Sequence, residues 1–292
     1  MQYHGTVYRP PIEASTFLIP VTEGCTYNKC NYCSMYKGVP FRMVPMDAIE
    51  EFLANAAYQS PLESMYLDRV YLVGGDPFAL SARRLDNLLD LIYKYFPNVT
   101  TVSMYAATPN IASKTDEQLV HLHERGIDDL YIGVETGLDS ALTYLNKESS
   151  AEETTAQLLR LNEAGIHHRC LFMLGAAGKG KGVENAIASA QMMNVVQPEM
   201  VAFTTMAAYP GTQLLDDVKE GRFQMAPEYE ILEEEKTFLE HIDVPDAYFL
   251  AGHALDSVPL RGKLGSDKTR MIELLDQALS RVGSRENARV FG

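Results

Sequence analysis

The chain is short of basic residues, of long apolar runs and of cysteine, and each shortage excludes a class of function. Among 292 residues, 25 Lys and Arg stand against 39 Asp and Glu, a formal net charge of −14 at pH 7. No global positive field gathers polyanions, which argues against a nucleic-acid binder. No segment approaches about 18 uninterrupted apolar residues, so no membrane span is expected. The start, MQYHGTVYRPPIEAS, has neither a basic flank nor an apolar run of signal-peptide length, and the expected compartment is the cytoplasm. The four cysteines do not suggest a disulfide framework, because three of them crowd into one short stretch and read as ligands of a shared group. Flexible linkers, internal repeats and low-complexity tracts are absent as well. What is present is core material: 46% hydrophobic residues, 22% charged residues and 20 Gly, the composition of a compact globular chain. The length allows two ordinary domains or one large α/β barrel.

Short β-branched or apolar runs alternate with amphipathic stretches, the mark of βα units on a parallel sheet. Strands are predicted at 16–20, 70–73, 100–104, 129–134, 168–174 and 200–205, with helices at about 46–59, 81–95, 115–125, 151–164 and 183–195. Thr115 before Asp116 and Glu117 marks a helix start, and Gly126 and Gly165 mark helix ends. Gly-rich or polar turns follow the strands at 74–77, 108–110, 135–137 and 175–182, where parallel barrels put their chemistry. Beyond Pro210-Gly211-Thr212 the alternation stops. An acidic helix over 230–241, an irregular stretch over 252–267 and a final helix over 269–282 are expected there. Residues 216–292 are read as an extension packed on the same domain as residues 1–215, with the last ten residues loose.

The segment Gly24-Cys25-Thr26-Tyr27-Asn28-Lys29-Cys30-Asn31-Tyr32-Cys33 directly follows the first predicted strand. Three thiolates on one short loop suit three corner irons of a cubane cluster, since thiolate is a soft, charged ligand for iron. The fourth iron then has no protein ligand. Cys170 lies inside a predicted strand and reads as a small buried hydrophobe. Zinc is the competing occupant, but a structural zinc site is normally closed by four ligands from paired Cys-x2-Cys or His knuckles.

On these residues the chain resembles the radical S-adenosylmethionine (radical SAM) superfamily. In that family the three-cysteine loop follows the first strand of a partial, six-stranded barrel. The resemblance covers about residues 15–215 and implies an α/β fold, a partial (β/α)6 TIM-type barrel, with a mostly helical C-terminal extension. It makes Cys25, Cys30 and Cys33 the metal ligands, although four residues separate Cys25 from Cys30 where the commonest family spacing is three. Tyr32, before the last cysteine, matches the family's adenine-contacting aromatic. Gly74-Gly75-Asp76-Pro77 is similar to the family's Gly-Gly-Glu-Pro, whose backbone binds the methionyl ammonium, with Asp76 in place of Glu. Gly133-Val134-Glu135-Thr136-Gly137 is similar to a stretch of the methylthiotransferases and the coproporphyrinogen oxidase group, and implies Glu135 as the ribose ligand. Lys147 follows as the basic residue for the cofactor carboxylate. Gly175 begins a loop that resembles the one lining the adenine side. That same run nearly spells a phosphate-binding loop, but Gly182 stands where a Ser or Thr hydroxyl is required. Tyr105 after the third predicted strand, and His253 and Arg261 in an ending shared with poorly characterised radical SAM proteins, are the substrate-side candidates.

The resemblance implies an enzyme with one 4Fe-4S cluster and S-adenosyl-L-methionine as cofactors. Reductive cleavage gives methionine and a 5′-deoxyadenosyl radical that abstracts hydrogen from a small-molecule substrate. A low-potential donor such as flavodoxin or ferredoxin supplies the electron. No second cysteine cluster exists for auxiliary iron-sulfur chemistry. The alternatives are a coproporphyrinogen oxidase-like protein, an RNA-modifying enzyme, or a non-catalytic cluster carrier, haem carrier or redox sensor.

Overall fold

A computed structural model of the chain describes residues 6–282. They divide into two compact units, one of residues up to Asn28, Met35–Ile132 and Leu159–His168, the other of Lys29–Ser34, Gly133–Leu158 and residues from Arg169 onwards. The first unit opens with strands β1 (Phe17–Pro20), β2 (Thr22–Glu23) and β3 (Arg42–Met43) and helices α1 (Met46–Gln59) and α2 (Pro61–Tyr66). Strand β4 (Arg69–Val73), helix α3 (Ala82–Tyr95), strand β5 (Thr101–Ala106), helices α4 (Thr108–Ala112) and α5 (Asp116–Glu124), and most of strand β6 (Ile127–Glu135) follow. The second unit holds α6 (Asp139–Tyr144), the first half of α7 (Ala151–Ala164), most of β7 (His168–Leu174), α8 (Gly182–Val196), β8 (Met200–Thr205) and α9 (Gln213–Lys219). It ends with α10 (Glu228–His241), β9 (Tyr248–Ala251), β10 (Leu260–Lys263) and α11 (Leu264–Val282).

Eight strands form one mostly parallel sheet in the order β1-β4-β5-β6-β7-β8-β9-β10, and β2 and β3 form a separate antiparallel pair. The fold is α/β, as a partial TIM-type barrel requires. Val70, Tyr71, Leu72 and Val73 are fully buried, as expected of a parallel strand covered on both faces. Helix α3 buries Leu85, Leu88, Leu89 and Ile92 at helical spacing, and its N-terminus is capped by the Ser81 side chain, which accepts the Arg84 N–H. Thr115 and Gln118 form a reciprocal capping box at α5. In the second unit Phe172 of β7, Phe203 of β8, Phe238 of α10 and Phe249 of β9 pack ring to ring at 4.7–6.2 Å.

The six predicted strands are β1, β4, β5, β6, β7 and β8. Three expectations need correction. The sheet has eight strands rather than six because β9 pairs parallel with β8 and β10 pairs antiparallel with β9, two short strands in a C-terminal extension that is mostly helical, as expected. The stretch 252–267 is irregular only up to Pro259, since β10 and the start of α11 follow. Strand β10 is a short edge strand with every second residue exposed and an interior Gly262, which weakens its period-2 signal. Residues 108–110 lie in helix α4, which Pro109 begins in the first turn where its missing N–H costs nothing. The last ten residues lie outside the described ones. No helix among the described residues is long and apolar enough to cross a membrane.

Candidate functional site

In the first unit, the loop after β4 is pressed against the start of the cysteine loop. The Gly75 N–H donates to the Gly24 carbonyl at 2.9 Å. A Cβ on Gly75 would lie 2.4 Å from that carbonyl oxygen and 2.8 Å from the Cβ of Cys25. A Cβ on Gly74 would lie 1.8 Å from the Thr22 hydroxyl. The two glycines are thus required by close approach. Gly75→Ala is expected to push the loop carrying Cys25 aside, to cost about 1–3 kcal/mol of stability as overpacking does, and to lower iron loading; thermal unfolding and iron analysis read both.

Asp76 is buried, and its carboxylate is committed to the protein. It accepts from the Thr26 N–H at 3.2 Å, from the Thr26 hydroxyl, and from Asn110 Nδ2 at 3.5 Å. Its side chain therefore anchors the residue after Cys25. Buried Lys114 braces the same turn: its Nζ donates to the carbonyls of Phe78 at 2.6 Å and Asn110 at 3.2 Å, and lies 4.0 Å from the Phe78 ring centroid. Burial pushes its ammonium down to about 8. Tyr105 is half-buried and forms an edge-to-face triangle with Tyr71 and Tyr131, with centroids 5.9–6.2 Å apart. The hydroxyl of fully buried Tyr71 has no hydrogen-bond partner among the described residues.

In the second unit, the rest of the cysteine loop is held to the end of α6. The Asn31 N–H donates to the Leu145 carbonyl at 3.0 Å, and Asn31 Nδ2 to the Tyr144 carbonyl at 2.6 Å. Asn146 Nδ2 donates to the Lys29 carbonyl at 2.8 Å, and the Leu214 N–H to the Asn31 carbonyl at 3.0 Å. Cys30, Tyr32 and Cys33 are half-buried. The Tyr32 hydroxyl is hydrogen-bonded to Glu135, and burial together with the nearby Glu135, Cys30 and Cys33 holds its phenol well above the usual range. Glu135 adopts φ +68°, an uncommon conformation for a residue with a side chain. Lys147 Nζ donates to the Gly133 carbonyl at 2.9 Å and to Glu135 Oε1 at 3.3 Å. A Cβ at Gly133 would lie 2.6 Å from that oxygen, so Gly133 makes room for the carboxylate. Tyr32, Glu135 and Lys147, far apart in sequence, form one cluster.

Gly175 at φ +79° donates its N–H to Glu234 Oε2 at 2.9 Å, and Glu234 also accepts from Asn185 Nδ2 at 2.7 Å. Burial pushes the Glu234 carboxyl up to about 8. His253 and Arg261 are both exposed. The His253 ring accepts the Leu255 N–H at 3.3 Å, and the Arg261 carbonyl accepts from Arg270. Among the described residues no three His, Cys, Asp or Glu side chains are gathered as metal ligands.

Residues 19–185 match the sequence profile of the Radical SAM superfamily. The chain belongs to the radical SAM superfamily. Membership bears out the expected cofactors, a 4Fe-4S cluster and S-adenosyl-L-methionine. Among curated relatives, the heme chaperone HemW of Bacillus subtilis (strain 168) is 24% identical over 207 residues, covering 68% of this chain and 52% of that protein. The heme chaperone HemW of Lactococcus lactis subsp. lactis (strain IL1403) is 24% identical over 147 residues, 50% of this chain and 38% of that one. The chain thus spans about half the length, or less, of these relatives. Methylornithine synthase (PylB) superposes with a TM-score of 0.52 at 17% identity, covering 94% of this chain and 83% of that one. The radical S-adenosylmethionine methyltransferase TsrM from Kitasatospora setae, solved with cobalamin and a [4Fe-4S] cluster, gives 0.57 at 15% identity over 70% of this chain and 39% of that one. These two likenesses concern the fold.

Sequence reasoning missed Lys114, Glu234 and the clamp on Asn31. Lys114 precedes a helix cap and looks like a solvated lysine, and Glu234 lies in the run Glu233-Glu234-Glu235 that reads as an exposed acidic face. The one available signal for Glu234 was its helical spacing from Ile231 and Phe238, which puts it close to the apolar stripe.

Proposed function

We propose that this radical SAM chain is an enzyme that cleaves S-adenosyl-L-methionine reductively and passes the radical to a small-molecule substrate. The observation that carries the reading is the convergence of Tyr32, from within the cysteine loop, on Glu135 and Lys147. The donor set fits the cofactors: Cys25, Cys30 and Cys33 offer three thiolates and leave one iron open for a chelating ligand. The chemistry that the reduced cluster supplies is one electron to the sulfonium, which yields methionine and a 5′-deoxyadenosyl radical. Glu135 is the acceptor for the ribose hydroxyls, Lys147 the counter-charge for the methionyl carboxylate, and Tyr32 the flat contact for adenine. Gly74 and Gly75 offer backbone to the methionyl ammonium, while Asp76 orients Thr26 beside Cys25. Gly175 borders the adenine side, and Tyr105, His253 and Arg261 are assigned to the substrate side. Residues 1–215 form the catalytic core in this reading and 216–292 its extension, with a low-potential flavodoxin or ferredoxin as donor. Formation of 5′-deoxyadenosine by the reduced, reconstituted protein tests it.

A second reading, a haem carrier without cleavage, is favoured by the 24% identity to two heme chaperones. A haem titration followed by absorbance separates the two: tight stoichiometric binding without deoxyadenosine formation supports the carrier.

A further inference from the structure

Inside the second unit, one chain of buried side chains joins the two loops that the proposed function gives to the nucleoside of S-adenosyl-L-methionine. The segment that ends β6 carries Glu135 at φ +68°, a conformation that a residue with a side chain keeps only where its surroundings fix it. Helix α8 supplies that fixation. The Thr136 hydroxyl accepts the Leu138 N–H at 2.9 Å and donates to Asn185 Oδ1, and the Ser189 hydroxyl accepts the Gly137 N–H at 2.9 Å. A Cβ on Gly137 would lie 2.7 Å from the Ala188 carbonyl oxygen, so the turn lies flat on the helix. Asn185, Ala188 and Ser189 share one face by their helical spacing. The chain then continues to the loop after β7. Asn185 Nδ2 donates to Glu234 Oε1 at 2.7 Å, and Glu234 Oε2 accepts the Gly175 N–H at 2.9 Å. Thr136, Asn185 and Glu234 are 0%, 2% and 1% exposed, which shields these bonds from bulk water.

We propose that Glu234 and Asn185 are positioning residues: they tie the Glu135 segment to the Gly175 loop and so preset the surface that receives the nucleoside half of S-adenosyl-L-methionine. This inference rests on the reading of Glu135 and Gly175 as nucleoside contacts, and brings α8 and α10 into the support of that site.

The bonds run in one direction, from Leu138 to Thr136, from Thr136 to Asn185 and from Asn185 to Glu234, and this makes the pair testable. An ionised carboxylate only accepts, so Glu234 takes both the Asn185 amide and the Gly175 N–H. An amide at position 234 would turn a donor toward one of them. If the Asn185 amide turned over in response, the Thr136 hydroxyl would lose its acceptor, and a buried polar group without a partner is costly. Exchanging the two groups, Glu234→Gln together with Asn185→Asp, restores every partner. The amide oxygen then takes the Gly175 N–H, the amide N–H donates to the relocated carboxylate, and that carboxylate takes the Thr136 hydroxyl.

The test is equilibrium dialysis of S-adenosyl-L-methionine against the full, reconstituted, unreduced chain, above the pH of about 8 to which burial pushes the Glu234 carboxyl. In Glu234→Gln the Kd is expected to rise at least tenfold, about 1.4 kcal/mol. In the exchanged pair it returns to within threefold of the native value, with the same iron content in all three proteins. A purely structural pair would lower the thermal midpoint and leave the Kd of the folded protein where it was. An unchanged Kd in Glu234→Gln, or an exchanged pair as weak as the single variant, overturns the proposal. Should Glu234→Gln not fold, Thr136→Val, which removes the hydroxyl at the other end of the chain and keeps the branched shape, is read in its place, and a native Kd there overturns it as well. The expected pattern of Kd values without any deoxyadenosine formation sinks the catalytic reading and leaves the pair standing. Deoxyadenosine formation with a Kd that Glu234→Gln does not move sinks the pair alone.

Discussion

Cys30→Ala is expected to lose the 4Fe-4S cluster and to cut 5′-deoxyadenosine formation by more than about a hundredfold, beyond the range seen when only outer-shell partners of a metal are removed. Two thiolates cannot hold three corner irons. The variant should still fold, because Asn31 and Lys29 attach the loop to the end of α6. Cys170→Ala is the matched control. That residue is fully buried in β7, burial pushes its thiol up, and a protonated interior thiol is no iron ligand. Iron and sulfide content and the charge-transfer absorbance of reconstituted protein check both variants. Full iron loading in Cys30→Ala, or loss of iron in Cys170→Ala, contradicts the ligand assignment.

Glu13→Ala should be the costliest substitution for stability, at about 3–5 kcal/mol, the range for removing one partner of a buried ion pair. Glu13 is 1% exposed and is the centre of a polar network in the first unit. Its Oε1 accepts from Arg69 at 2.5 Å, Tyr131 at 2.7 Å and Ser103 at 3.2 Å, and Arg69 reaches on to Asp129 at 2.6 Å. Alanine removes one of the two carboxylates that pair with Arg69 and an acceptor of the Thr16, Ser103 and Tyr131 hydroxyls. Burial alone would raise the Glu13 carboxyl, but hydrogen bonds from Arg69, Thr16 and Tyr131 outweigh it and hold the carboxyl below the usual range. A group depressed in the folded state contributes stability that is fully present above its unfolded pKa, about 4.3 for Glu. That contribution is lost as the pH falls through the folded value. Chemical denaturation at pH 7 and pH 3 should therefore show the variant's deficit shrinking in acid. A pH-independent deficit, or one below about 1 kcal/mol, contradicts the network's role.

The parts of the fold that sequence reveals are those with local signals. Strand β7 and helix α1 were predicted to the residue because β-branched or apolar runs and amphipathic spacing are properties of short windows. Strands β9 and β10 were not, since four residues with alternating exposure carry little pattern until β8 supplies an edge to pair with. The cysteine loop was legible for a related reason: three ligands on one loop need no tertiary context. The companions of Glu135 were legible only by resemblance. The bond from Tyr32 to Glu135, the turning of Asp76 onto Thr26, and the neutralisation of Glu13 by Arg69 join residues that only folding brings together. Asp76 illustrates the difference most sharply. Its position after a strand marks it for the cofactor site, and only the fold shows its carboxylate accepting from Thr26 and Asn110.

As proposed, this radical SAM chain breaks the sulfonium bond rather than merely holding a cluster or a haem. Anaerobic reconstitution with iron and sulfide, reduction, addition of S-adenosyl-L-methionine and quantification of 5′-deoxyadenosine test it most directly. Deoxyadenosine and methionine are expected in equal amounts from the native chain, and neither from Cys30→Ala. A fully loaded protein that binds S-adenosyl-L-methionine and never cleaves it, alone or with candidate small-molecule substrates, would contradict it.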